Sequence, residues 1–443
     1  MAFLERVQTM EEGRRAARDE RQERGVEALR AAVGELVPLD CVAALVGDSP
    51  ERARNEIRAA CRRVAVREPW NSLDAGSFQR LVETLIDTVF GLGPLDALVR
   101  DESVTEIMVN GTSSVFVERE GRLTRSDVVF ESDEQVRALI DRILGPLGRR
   151  IDESSPLVSA RLPQGHRVHA VVPPLAIDGP CLTIRSFARH SLSLAQLRRL
   201  GSFDESVERF LVWAVRARRS MAVSGGTGSG KTTLLNALSR HISHEERVIT
   251  IEDAAELKFD EHPHVVRLEA RAANAEGTGE VTIRDLVVNA LRMRPDRIIV
   301  GECRAEEAID MLQAMNTGHD GSLTTLHANS PREAVDRLVT MVRFGVDLPL
   351  DAIEAQIGNA FDLVIQTARC PGGERCVSEI ASVAFDFDRR RCALTTLYRR
   401  DAGRSCGRWV GYPPWVEELA WRGIAEKKEV KGWIRSLDMR LSA

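Results

Sequence analysis

The chain has 443 residues, 61 basic and 66 acidic side chains, a formal net charge of -5 and 43% apolar residues. That length holds two or three domains with real cores, while no apolar run approaches the ~18 residues needed to cross a bilayer. A slightly acidic balance argues against broad, non-specific nucleic-acid binding, which rests on a basic face.

The start, MAFLERVQTMEEGRR, lacks the apolar centre of a secretory signal, so a cytoplasmic location is expected. Residues 1 to 35 carry both signs of charge in near balance and read as a solvated or partner-bound helix. Two more helices follow. Ser49 is placed to cap one with Pro50 at its first position, and Ser77 to Phe90 shows an apolar stripe at helical spacing. These make an N-terminal helical segment over residues 1–92.

From Val104 the period becomes two: VTEIMVNG and SVFVEREGRL alternate as strands around turns at Asn110-Gly111 and Glu120-Gly121. Ser132 and Gln135 form a capping box for a helix through about Leu147. The stretch 160–187 is extended again and carries Arg161, Arg167 and Arg185. Residues 93–190 therefore read as a small α+β domain, and 191–203 as a short linker.

Residues 204–390 alternate strands and helices, the pattern of a parallel sheet covered on both faces. Strands are expected at 220–224, 247–251, 297–301, 321–326 and 361–367. Helices are expected from Thr282 to Met293 and from the Ser330-Pro331-Arg332-Glu333 signal. The first strand runs into SGGTGSGKTT, where Gly225, Gly226, Thr227, Gly228, Ser229, Gly230, Lys231, Thr232 and Thr233 satisfy and extend G-x-x-x-x-G-K-[ST]. Gly226 and Gly228 are expected to let backbone N–H groups converge on an anion at the positive end of the next helix. Lys231 would bridge the β- and γ-phosphates and Thr232 would ligate Mg²⁺. Lysine usage supports this: only five of the 61 basic residues are Lys, and Lys231 and Lys258 are the two before position 427. A compact ammonium at 231 in an arginine-rich chain points to geometry rather than mere charge.

Ligands of such sheets sit at the carboxyl ends of the strands. There the sequence offers Glu252-Asp253 with Glu256, then Glu302, then His327 with His319 and Asp320 upstream. These are residue types able to hold a metal through water, orient water and sense a γ-phosphate. Asp296 begins its strand and is expected at the wrong end. Cys370 and Cys376 bracket CPGGERC, which lacks zinc spacing and reads as a hairpin turn.

The runs VTEIMVNG, ARLPQGHRVHAVVPP, LTIRSF, SGGTGSGKTTLLNAL, RVITIEDAAEL, RMRPDRIIVGECRAEEAIDMLQAMNTGHDGSLTTLHANSP and FDLVIQTAR carry a resemblance. Over about 95 to 385 the chain resembles the secretion ATPase superfamily of type II and type IV secretion and type IV pili. It is most similar to the tight-adherence (Flp) pilus branch, of CpaF type. The resemblance implies a RecA-like P-loop NTPase fold with ATP and Mg²⁺ as cofactors, a Walker A at 225–232, an Asp box at 252–256, a Walker B acid at Glu302 and a His box at 319–327. It implies Glu252 as the activator of water, His319 and His327 as couplers of the γ-phosphate, and Arg167 and Arg185, with Arg161 as a third, facing the nucleotide from the α+β domain. It further implies a hexameric ring working at the cytoplasmic face of an inner-membrane platform protein, with no membrane span of its own. Conjugation-type transport of a DNA–protein substrate, and a nucleotide-binding scaffold with little turnover, remain open beside it.

Two features depart from the pattern. Cys303 follows the Walker B acid where an apolar residue is commoner, and no match is read beyond about 390. There, in a tail over 391–443, lie Trp409, Trp415, Trp421 and Trp433 with both tyrosines, a composition suited to docking on the ATPase domain or to a partner surface.

Overall fold

The computed structural model describes residues 25–37, 50–90, 92–119, 121–147, 149–162, 165–186, 191–259, 261–271, 273, 278–370, 373–401 and 407–441. The chain divides into two compact units, Met1–Ala188 and Arg189–Ala443.

In the first unit, helices at 25–34 (α1), Pro50–Val64 (α2) and Ala75–Phe90 (α3) share a small apolar core that includes Leu29, Val33, Ile57, Cys61 and Leu85. Residues 1–24 and the proposed cap Ser49 lie outside the described residues. Helix α3 starts two residues before the expected Ser77, because the Asp74 carboxylate accepts the Ser77 N–H at 2.9 Å and caps it.

A second core in this unit lies under a mixed-length antiparallel sheet of β1 (Val104–Asn110), β2 (Ser114–Arg119), β3 (Arg122–Arg125), β4 (Leu157–Arg161), β5 (Arg167–Val171) and β6 (Cys181–Arg185). The strands run in the order β3-β2-β1-β6-β5-β4. Helix α4 (Asp133–Leu144) covers the sheet with Val136, Leu139, Ile140 and Ile143. Its capping box is half formed: Ser132 accepts the Gln135 N–H, but the Gln135 amide oxygen takes the Glu131 N–H instead.

The second unit is built on one sheet, ordered β15-β14-β13-β12-β7-β11-β10-β8-β9 among the described residues. Its parallel part is β7 (Met221–Gly225), β8 (Val248–Glu252), β9 (Val265–Glu269), β10 (Arg297–Val300), β11 (Leu323–Leu326) and β12 (Leu363–Arg369). All five expected strands are present within a residue or two. Residues of β7, β8, β10 and β11 are buried throughout, as a sheet covered on both faces demands. The α/β fold is therefore the one read from the sequence.

The sheet does not stop near 390. Antiparallel strands β13 (Arg375–Asp386), β14 (Arg391–Arg399) and β15 (Arg408–Trp409) extend it into the tail. The tail aromatics then close over helix α5 (Glu205–Arg216): Trp409, Trp415 and Trp433 pack on Phe210, and Trp433 also meets Trp213 edge-on. Trp409 donates its indole N–H to Ser206 Oγ and Trp433 donates to Ser206 O. Both of these indole nitrogens thus have a partner, as burial requires.

At the amino ends of the strands, Arg297 is fully buried and donates to both oxygens of Glu246 and to the carbonyls of Val215 and Gly321. Asp296 lies at this end too, accepting the Arg247 N–H, as expected from its place before β10.

Candidate nucleotide-binding site

The phosphate loop leaves β7 at Gly225 and enters helix α6 (Lys231–Ser239) through Gly230. Two loop glycines stand in the left-handed region, Gly228 at φ +69° and Gly230 at φ +95°. Gly228 is as expected; Gly226 is not among them, and the loop turns at Gly228 and Gly230 instead. Gly225 is required for closeness: a Cβ there would lie 2.3 Å from Thr367 Oγ1 and 2.4 Å from Ser229 Oγ.

Strand β12 braces the loop. Thr367 Oγ1 donates to Ser224 O at 3.0 Å and lies 2.8 Å from Ser229 Oγ. Gln366 bonds Ser224 and donates to Ala328 O. Lys231 is buried, with Nζ donating to Gly225 O at 3.0 Å and Gly226 O at 2.9 Å. Ser229 Oγ also donates to Gly226 O. Lys231 Nζ and Ser229 Oγ thus converge on one carbonyl, Gly226 O, at the amino end of a helix, where an anion is favoured. Thr232 and Thr233 follow in the first turn, both half-buried.

Three neighbouring strand ends meet this loop. Glu252 ends β8 and is 3% exposed. Its Oε2 accepts the N–H groups of Glu256 (2.7 Å) and Leu257 (2.8 Å), whereas Oε1 is buried with no hydrogen-bond partner among the described residues. Burial pushes the Glu252 carboxyl up to about 7, against the two backbone donors that lower it. It is therefore near half-ionised at neutral pH, the condition suited to a general base.

Glu302 follows β10. His327, following β11, places Nε2 2.9 Å from Glu302 Oε1, and Arg304 Nη2 donates to Oε2 at 2.6 Å. Burial raises the Glu302 carboxyl, but Arg304, His327 and Lys231 outweigh it, and the net shift is down. The His327 ring is lowered by burial first and by Lys231 next, so at neutral pH it is uncharged and donates through Nε2.

Some expected residues lie elsewhere. His319 precedes β11, at the opposite end of that strand from His327, with Nδ1 2.9 Å from Ala314 O and its carbonyl accepting from Ser322 Oγ. The structure does not bring it to the strand ends around the phosphate loop. Arg167 and Arg185 lie in the first unit as direct cross-strand partners, and Arg161 is the partner of Arg167 on the other side. The row Arg161–Arg167–Arg185 continues through Glu106 of β1 to Glu118 of β2. Directly opposed residues share a face, so three arginines stand in line with two glutamates.

Two residues escaped the sequence reading. Gly301 must be glycine, since a Cβ would lie 2.7 Å from Glu252 Cγ. Arg304 links Glu302 to Asp253 (3.4 Å), and its own backbone N–H is fixed by Glu307 Oε1 at 2.6 Å. Each sits one or two residues from Glu302, so the GECR run held the signal. Cys370 and Cys376 flank a hairpin turn as expected, their sulfurs 3.3 Å apart.

The sequence profile of the family described as "Type II/IV secretion system protein" matches residues 89–408. The chain belongs to this secretion family. The match runs past position 390, where the resemblance was read to end, because β14 and the start of β15 complete the same sheet. A putative conjugal transfer protein of Mycobacterium tuberculosis is 40% identical over 321 residues, covering 71% of this chain and 90% of that protein. The type IV secretion system protein PtlH of Bordetella pertussis is 33% identical over 311 residues, covering 64% and 91%. Among solved structures, the VirB11 ATPase of the Brucella suis type IV secretion system is 31% identical, covers 66% of this chain and 96% of its own, and superposes with a TM-score of 0.37. The Yersinia pseudotuberculosis ATPase DotB, 18% identical over 70% of this chain and 81% of its own, has a TM-score of 0.50 and shares the fold. Secretion-family membership and the RecA-like fold are thus established together. Among the described residues no helix is long and apolar enough to cross a membrane.

Proposed function

We propose that the chain is a Mg²⁺-dependent ATP-hydrolysing motor that powers pilus assembly or protein secretion. One observation carries this reading: the orphaned, buried Oε1 of Glu252 stands on a strand end beside those that carry Glu302 and His327, with Lys231 opening the helix after the phosphate loop. A mere binding module has no need of a buried carboxylate poised near neutrality.

The residues fit the group they would hold. Loop N–H groups and Lys231 would take the phosphates; Thr232 and Glu302 would hold magnesium, in part through water. Magnesium, when bound, neutralises charge on the β- and γ-phosphates. Glu252 orients and deprotonates the attacking water, using Oε1 while Oε2 stays pinned by two backbone donors. His327 couples the γ-phosphate position to the end of β11, which it follows, whereas His319, at the other end of that strand, has no part in the site. Arg167 and Arg185, with Arg161, supply positive charge to the nucleotide.

Within the family we assign the chain to the tight-adherence pilus branch, of CpaF type, on the sequence runs quoted above. It works as a homohexamer, peripheral at the cytoplasmic face of the inner membrane, against a platform protein. A conjugation-type role moving a DNA–protein substrate is the second reading, favoured by the relative described as a putative conjugal transfer protein. Neighbouring genes for pilins or for a relaxase separate the two.

The test is steady-state ATP hydrolysis across a series of protein concentrations, with Lys231→Ala as the blank. Activity per subunit that rises and levels off supports a site completed by assembly. Turnover no higher than the blank at every concentration sinks the motor reading for the isolated chain and leaves a nucleotide-binding scaffold.

A further inference from the structure

Strand β12 pairs with β7 in parallel up to the Thr367–Gly225 rung, where β7 ends and becomes the phosphate loop. β12 continues for two more residues, to Arg369, and turns back into β13. The last rung of that hairpin, Arg369 opposite Arg375, therefore has the phosphate loop beside it where a strand would otherwise be. Arg375 uses this position. Its Nε donates to Gly228 O at 2.9 Å, and its stem lies over Gly230, where an added Cβ would stand 3.3 Å from Arg375 Cδ.

The hairpin that carries Arg375 is well braced. Cys370 N–H donates to Glu374 O at 2.7 Å, Gly373 N–H donates to Cys370 O at 2.9 Å with Gly373 at φ +91°, and the Cys370 and Cys376 sulfurs touch on one face. The guanidinium is thus presented from a fixed frame to a loop that depends on glycine backbone freedom.

We propose that Arg375 is a positioning residue of the nucleotide site, resting on the reading of residues 225–232 as a phosphate cradle. In a trans peptide the carbonyl and the following N–H point in opposite directions. A cation held on the outward Gly228 carbonyl fixes the 228–229 peptide plane, and so aims the Ser229 N–H to the inner side of the loop, where it lies 3.4 Å from Gly226 O. The charge-assisted bond holds a left-handed glycine that would otherwise sample other orientations. Arg375 acts on affinity for the polyphosphate and not on the bond-breaking step.

The experiment is equilibrium binding of a fluorescent N-methylanthraniloyl ATP with Mg²⁺ to the full chain, alongside kcat and KM for ATP. Arg375→Met keeps the stem and removes the head, and is expected to weaken binding and raise KM about tenfold, with kcat changed less than threefold. Arg375→Lys, retaining a cationic donor, is expected to recover part of the loss. Arg389→Ala removes an exposed charge at the far end of β13 and is expected to bind within twofold of the unaltered chain. Binding by Arg375→Met within twofold of the unaltered chain, while Lys231→Ala does not bind, overturns the role of Arg375 and leaves the nucleotide site standing. An equal loss in Arg389→Ala overturns it as well, because net charge would then be the cause. If the unaltered chain itself does not bind, the underlying nucleotide reading fails. Should Arg375→Met fail to fold by circular dichroism, Arg375→Gln carries the same expectation and the same overturning result.

Discussion

Arg304 holds the Glu302 carboxylate through a 2.6 Å hydrogen bond from Nη2 to Oε2. His327 occupies the other oxygen, so each oxygen of the proposed metal acid already has one donor. A hydrated magnesium ion must compete with Arg304 for that carboxylate, and Arg304 has an alternative partner at hand in Asp253, 3.4 Å from Nη1. Arg304→Gln is therefore expected to lower the Mg²⁺ concentration giving half-maximal nucleotide binding by about threefold to tenfold. Glu302→Gln is expected to raise it. A magnesium titration of fluorescent-nucleotide binding reads both; equal midpoints in the two variants would remove Arg304 from this competition.

Glu252 gives a prediction that does not depend on turnover. Burial lifts its carboxyl from 4.5 to about 7, so between those values the folded chain keeps a proton that the unfolded chain has released. Stability from this group is full below the lower value and is lost as pH rises through the upper one. Glu252→Gln carries no such dependence. Its stability relative to the parent should grow from nothing near pH 4.5 to at most ~3 kcal/mol at pH 8. Urea denaturation at several pH values measures the gap; a gap that shrinks with rising pH contradicts the assignment. In the same variant ATP should still bind while kcat falls at least a hundredfold.

Gly301 makes the same carboxylate testable through packing. With a Cβ only 2.7 Å from Glu252 Cγ, Gly301→Ala must displace either the Glu252 side chain or the end of β10. The expected cost is about 1–3 kcal/mol of stability, together with a fall in kcat larger than the rise in KM for ATP. Unchanged kcat would mean that Glu252 tolerates the shift, and so does not act at a fixed distance from the reacting atoms.

Much of this site was legible because strand direction follows from a simple rule: in a parallel sheet, apolar runs of four or five residues, each ending in a polar residue, line up their carboxyl ends. That placed Glu252, Glu302 and His327 correctly and put Asp296 at the far end. His319 was less legible. Its proximity to His327 in sequence conceals the four-residue strand between them, which carries the two rings to opposite ends of the sheet. Arg304 and Gly301 were hidden for another reason: their roles are fixed by contacts with Asp253 and Glu252, some fifty residues upstream. Arg375 depends on a rung of β12–β13 pairing that no local pattern reveals. The cross-strand arginine row likewise required register, since Arg161, Arg167 and Arg185 are separated in sequence and become neighbours only through β4, β5 and β6.

The aromatic tail separates a structural role from a surface one. Trp433 is 3% exposed, stacks on Phe210 with ring centres 6.0 Å apart, meets Trp409 edge-on at 5.0 Å and satisfies its indole N–H at Ser206 O. Trp421, a few residues earlier, is 89% exposed. Trp433→Ala removes a large buried ring, so a loss of about 3–5 kcal/mol is expected. Trp421→Ala should change stability by less than about 0.5 kcal/mol. Thermal and urea unfolding of both variants, followed by circular dichroism, gives the comparison. Equal stability of the two would mean that the tail does not hold helix α5 in place. A large loss for Trp433 alone makes residues 409–437 part of the second unit's core, and leaves Trp421 as the tail's exposed aromatic surface.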